Sequence, residues 1–99
     1  MSKQKNSNRI HIVLGLGSSG ISAAKLLKSE GKNVLVLENN LNEKLINLSN
    51  KLKSEGIQVI LLGEPLHINN FTPWIKRISS ITVSPGIDWE HIALRKLRY

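Results

Sequence analysis

The run Ile10-His-Ile-Val-Leu-Gly15-Leu-Gly17-Ser-Ser-Gly20 decides how this chain is to be read. Its first five residues are mostly apolar and do not alternate with polar ones. That pattern predicts a strand over Ile10–Leu14 buried on both faces, the habit of parallel sheets. Gly15-x-Gly17-x-x-Gly20 follows, and a helical pattern begins at once. Glycines at this spacing permit a tight turn, a close backbone approach to a ligand, and tight packing of the next helix on the strand. A helix starting there points unpaired N–H groups and its positive dipole end at whatever lies in front, which suits a phosphate or diphosphate. Many nucleotide binders share the spacing, so the other residues must narrow it.

Working outward, the first helix is expected over Ser19–Glu30. Ile21, Ala24 and Leu27 form its inner stripe, widened by Ala23 and Leu26, and Gly31 ends it. Val34–Leu37 reads as a second doubly buried strand closing on Glu38. The second helix opens between Asn40 and Asn42, both good caps, and Gly56 stops it. Leu41, Leu45, Leu48 and Leu52 supply its apolar stripe at spacings of four, three and four. Strand three is Ile57–Leu62. Leu27-Lys-Ser-Glu-Gly31 is echoed by Leu52-Lys-Ser-Glu-Gly56, which reads as two helix-to-strand junctions using the same chemistry rather than as an internal repeat.

Residues Gly63–Asn70 look like a loop. Thr72-Pro73 then opens a short helix through about Arg77 that buries Trp74 and Ile75. Strand four is Ser80–Val83, followed by Ser84-Pro85-Gly86. Asp88 caps a last helix whose inner side is Ile92, Ala93 and Leu97. Strands alternating with helices give right-handed βαβ units and an α/β fold. The expected architecture is a Rossmann-like, doubly wound parallel sheet of order 3-2-1-4, with a flexible basic tail over residues 1–9 and one domain over 10–99. Ligands in such a sheet sit at the carboxyl ends of the strands beside the switch point. Three loops meet there: Gly15–Ser19, Glu38–Asn40 and Ser84–Gly86.

Composition limits the chemistry. The 99 residues are 40% hydrophobic and 21% charged, as in an ordinary globular domain. Cysteine is absent, which rules out disulfides, thiolate nucleophiles and Cys-based metal sites. No apolar run approaches the roughly 20 residues that span a bilayer, and the N-terminal segment lacks the form of a signal peptide. A cytoplasmic location is therefore expected. The formal net charge is +7. Because Lys and Arg are spread over the tails and helix faces, nucleic acid is not the expected partner; a basic surface that favours an anionic small ligand, or simply a solvated face, is the reading.

Each candidate residue carries two readings. Ser18 and Ser19 can bond phosphate oxygens or simply cap the first helix. Glu38, 18 residues after Gly20, can accept hydrogen bonds from a ribose or a base, or can cap the second helix. Asn39 and Asn40 can read a heterocycle edge or serve as turn residues. Ser84 either contacts the ligand or belongs to a rigid turn. His11, His67 and His91 lack metal-ligand spacing. No Ser-His-Asp order, paired carboxylates or Gly-x-x-x-x-Gly-Lys-Ser/Thr loop is present. The site binds; catalytic machinery is not visible.

The run Val13-Leu-Gly-Leu-Gly-Ser-Ser-Gly-Ile-Ser-Ala-Ala-Lys-Leu-Leu27, then Gly31-x-x-Val-x-Val-x-Glu38, Gly56-Ile-x-Val59 and Val83-Ser-Pro-Gly-Ile87, resembles the N-terminal domain of the Mur ligases, nearest to their D-glutamate-adding branch. The resemblance covers roughly Ile10–Leu97, and Ser-Pro-Gly-Ile is its most particular piece. It implies a substrate site for the uridine diphosphate part of UDP-N-acetylmuramoyl-L-alanine. Gly15, Gly17, Ser18, Ser19 and Gly20 would face the diphosphate and uridine. Glu38, Asn39 and Asn40 would hold the uracil end, and Ser84 and Gly86 would lie near the diphosphate–sugar side. It further implies a monomer, with ATP, Mg2+ and D-glutamate handled by central and C-terminal domains outside these residues. On that reading the chain is a truncated piece lacking the fifth strand, and by itself has no ligase activity. The alternative is an NAD(P)-binding domain of a dehydrogenase or transport regulator, which uses the same glycine loop and an acid after strand two.

Overall fold

The structure is a computed structural model, and it describes residues 9–64 and 67–83. Residues 1–8 of the expected 1–9 tail, the Ser84-Pro85-Gly86 turn and the last helix lie outside the described residues. Elements alternate as β1 (Ile10–Leu14), α1 (Ser18–Ser29), β2 (Val34–Glu38), α2 (Glu43–Ser54), β3 (Gln58–Leu61), a 3-10 helix (Ile68–Trp74) and β4 (Ile78–Val83). The four strands form one sheet in the order β3-β2-β1-β4, and every pairing is parallel. The α/β class and the expected order are both observed. No described helix is long and apolar enough to cross a membrane.

All five residues of β2 are buried, because both faces of the sheet are covered. Side chains alternate across the sheet. Val34 and Val36 join Val13, Leu16, Ala24, Leu52, Ile57 and Val59 under α1 and α2. Leu35 and Leu37 join Ile10, Ile12, Leu14 and Phe71 on the opposite face. Each fully buried side chain of this size contributes about 1.5–3 kcal/mol.

The two echoed segments form the same motif. Lys32 N–H bonds the Leu27 carbonyl at 3.1 Å and Gly31 N–H bonds that of Lys28 at 2.9 Å; Ile57 to Leu52 and Gly56 to Lys53 repeat this at 3.0 Å each. These are paired Schellman closures, with Gly31 at φ +82° and Gly56 at φ +88°. Ser29 and Ser54 complete the likeness by donating to the carbonyls three residues back. Junction chemistry accounts for the echo.

Several local expectations are corrected. Leu26 is 60% exposed rather than part of the inner stripe of α1, and Ile75 is exposed beside a half-buried Trp74. Leu41 precedes α2, since Asn42 is the cap whose side chain accepts the Leu45 N–H. The segment read as a loop holds the start of the 3-10 helix, which begins before Thr72-Pro73: the His67 ring accepts the Asn69 N–H and the Asn70 side chain accepts the His67 N–H. That reciprocal cap sets the start, and Pro73 falls inside the helix. β4 begins at Ile78 rather than Ser80. An irregular step places Ile10 opposite Ile78 but His11 opposite Ser80, leaving Ser79 as the extra residue. The bulge lets Ile78 and Ile81, three residues apart, both pack on the Phe71 side.

Candidate functional site

The β1–α1 and β2–α2 loops meet at the carboxyl ends of the strands. Leu14 pairs with Leu37, and the Gly15 N–H extends the ladder to the Leu37 carbonyl at 2.8 Å. The chain then turns sharply: Gly15 has φ +102°, a conformation that strains any residue with a Cβ. Leu16 folds inward and is buried in the α-side core, which anchors the loop between its glycines.

Gly17, not a serine, is the N-cap of α1, and no side chain caps this end. The expectation that Ser18 or Ser19 caps the helix is thereby corrected; both lie inside its first turn and are exposed. No side chain caps the first-turn N–H groups, the donors that a helix start leaves without an intrahelical partner. Gly17 has an ordinary φ of −82°, and a Cβ placed on it would meet nothing within 4 Å. The backbone therefore does not require glycine there. Gly20, one turn on, is buried in α1, matching the close helix–strand approach that a third glycine allows.

Glu38 ends β2 and is only 9% exposed. One carboxylate oxygen accepts the Leu16 N–H at 2.7 Å and the other accepts the Asn40 N–H at 2.9 Å. Its carbonyl accepts the Leu62 N–H at 2.8 Å. The acid thus ties together the glycine loop, its own loop and the end of β3. Asn39 is half-buried and Asn40 exposed. With Leu41, Gly63 and Glu64 they line an open depression of about 610 Å³ between the ends of β2 and β3. Leu41, 56% exposed, is a lining residue that its helical spacing had disguised, and Gly63 and Glu64 carried no signal at all.

Gly15, Gly17, Ser18, Ser19 and Gly20 thus lie on one loop and helix start, joined through Glu38 to Asn39 and Asn40. Ser84 and Gly86 lie outside the described residues; Val83, just before them, pairs with Leu14 at this same end of the sheet. The histidines stand elsewhere. His11 bonds Ser80 across the β1–β4 pair, His67 caps the 3-10 helix, and His91 lies outside the described residues. Among the described residues no group of three or more His, Cys, Asp or Glu could hold a metal ion.

A parallel sheet of this order, flanked by helices, defines a Rossmann-like domain. The particular family is shown by its match over residues 9–98: the chain belongs to the family of Mur ligase MurD-like N-terminal domains. It is 81% identical over 98 residues to a UDP-N-acetylmuramoylalanine--D-glutamate ligase of Prochlorococcus marinus strain NATL2A, covering 99% of this chain and 21% of that protein. Ligases of the same name from Synechococcus sp. strain CC9605 (45% over 87 residues; 88% of this chain, 19% of that protein) and P. marinus strain MIT 9515 (38% over 94 residues; 95% and 20%) are also similar. The chain spans about a fifth of the length of these curated relatives.

Proposed function

We propose that this domain seats the uridine diphosphate part of UDP-N-acetylmuramoyl-L-alanine, as the substrate-binding module of a longer ligase that adds D-glutamate during peptidoglycan synthesis. The observation that carries the reading is Gly17: the fold itself does not demand glycine, and the space its side chain would fill is empty of protein atoms at an uncapped helix start. An anion approaching that opening gains backbone N–H donors and the positive dipole end. Ser18 and Ser19 add hydroxyl donors to the diphosphate, while Gly15 and Gly20 set the turn and the helix packing. Asn39 and Asn40, beside Glu38, offer both donors and acceptors to the uracil edge. The resemblance assigns Ser84 and Gly86, outside the described residues, to the diphosphate–sugar side of the ligand.

The names of the relatives support the same substrate and reaction class. ATP and Mg2+ supply carboxylate activation in such a ligase. The described residues offer no metal-ligand group and the sequence has no phosphate loop of the Gly-x-x-x-x-Gly-Lys-Ser/Thr kind, so both belong in this reading to the rest of the protein, with D-glutamate. Work in the cytoplasm as a monomer, in the service of cell shape and division, completes the proposal. The NAD(P) reading is disfavoured because the family match and the names of the relatives point to a ligase instead.

The test is an amide-resonance titration of the chain with UDP. Shifts concentrated at Gly15–Gly20 and Asn39–Asn40 are expected. Shifts confined to the amino ends of the strands, around Asn33 and Gln58, would overturn the reading.

A further inference from the structure

We infer that Glu38 is a positioning residue: its carboxylate fixes the glycine loop and the Asn39–Asn40 loop as one unit. The inference rests on the proposed uridine diphosphate site and assigns one of its residues a different kind of work. Three observations carry it. Glu38 is a nine-tenths buried acid at the end of β2. Each oxygen is already engaged, one by Leu16 and one by Asn40, residues that belong to different loops. And Leu16 is held from its other side by the core, so the amide that Glu38 captures is the rigid pivot of the glycine turn.

The consequence follows from geometry. Gly15 N–H and Leu37 carbonyl already join the two loops at their bases, and Glu38 joins them again further out. Two links separated along the chain remove a hinge that one would leave. The Gly17–Gly20 donors and the Asn39–Asn40 groups are thereby held at a fixed separation before any ligand arrives. Preorganisation of this sort raises affinity by removing the ordering cost of binding.

Electrostatics gives the inference a test with an unusual sign. Glu38 puts a negative charge beside a proposed diphosphate seat. If charge were all that mattered, Glu38→Gln would tighten anion binding. If Glu38 gripped ribose or uracil, the same change would weaken uridine and leave inorganic diphosphate unaffected. A positioning role makes a third prediction. Glutamine can accept only one of the two N–H bonds with its carbonyl oxygen and turns an NH2 toward the other, so one loop is released and both parts of the ligand suffer.

The experiment measures binding of UDP, uridine and inorganic diphosphate to the chain and to Glu38→Gln and Glu38→Asp, together with the Leu16 and Asn40 amide resonances without ligand. Glu38→Asp keeps the charge on a side chain one methylene shorter, which draws the carboxylate back from the two amides. Both variants are expected to weaken inorganic diphosphate as well as UDP, by about tenfold, the scale of one lost charged hydrogen bond, and both amide resonances are expected to move. Diphosphate binding that is unchanged or tighter, or amides that stay in place, overturns the inference. Should Glu38→Gln fail to fold, Glu38→Asp and the wild-type hydrogen exchange decide: slow exchange at both amides is expected, and fast exchange at either contradicts the brace. A wild-type chain that ignores UDP but protects both amides would instead defeat the proposed ligand and leave the brace standing.

Discussion

His11 on β1 and Ser80 on β4, 69 residues apart in sequence, are joined side chain to side chain by a hydrogen bond of 2.7 Å. Burial pushes the His11 imidazole below its ordinary value of 6.5, helped by the Lys32 and Arg9 charges and opposed by Glu30. The fold therefore favours neutral histidine. As pH falls, the unfolded chain takes up this proton first and stability drops, starting near 6.5 and levelling off below the folded value. Chemical denaturation of the wild type between about pH 7 and 5 should show this loss. His11→Gln is expected to flatten the profile; an unchanged slope would assign it to other groups.

Gly56 tests whether the echoed junctions are held by backbone conformation or by packing. At φ +88°, an added Cβ would sit 2.8 Å from the Lys28 Cε, the flexible far end of a side chain that can swing away. Backbone strain remains after it does. Gly56→Ala is expected to cost about 1–2 kcal/mol, and Lys28→Ala is not expected to restore it. Recovery of stability in the double variant would show that the contact, not φ, was responsible.

Gly17 separates stability from binding. Serine is a better N-cap than glycine by a few tenths of a kcal/mol, and the space around Gly17 is open. Gly17→Ser is therefore expected to leave thermal stability equal or slightly raised while weakening UDP by about tenfold or more, since the new side chain occupies the approach to the helix start. Thermal melts paired with calorimetry check both halves. A variant that binds UDP as well as the wild type would remove Gly17 from the site.

Residues whose neighbours in sequence determine their environment were legible. β2 could be read from an unbroken apolar run, and the two Schellman closures from a polar last turn and a glycine. Residues placed by distant backbone were not. Phe71, the largest fully buried side chain among the described residues, sits in Ile-Asn-Asn-Phe-Thr-Pro-Trp, which has no helical or strand period. Ile78 was missed because the bulge at Ser79 breaks the alternation that marks a strand. Leu41 matched the helical spacing of α2, yet the Asn42 cap excludes it. At the candidate site, the turn and helix start of the glycine loop could be read from spacing, whereas the backbone contacts of Glu38 could not: N–H groups are present at almost every position, so no sequence pattern marks the one at Leu16, 22 residues away, that bonds the carboxylate.

The most direct measurement is parallel calorimetry of this chain with UDP-N-acetylmuramoyl-L-alanine, UDP and NAD. Saturable binding of both uridine compounds, with no heat from NAD at the same concentrations, is the predicted result. Saturable binding of NAD with no response to either uridine compound would contradict the account.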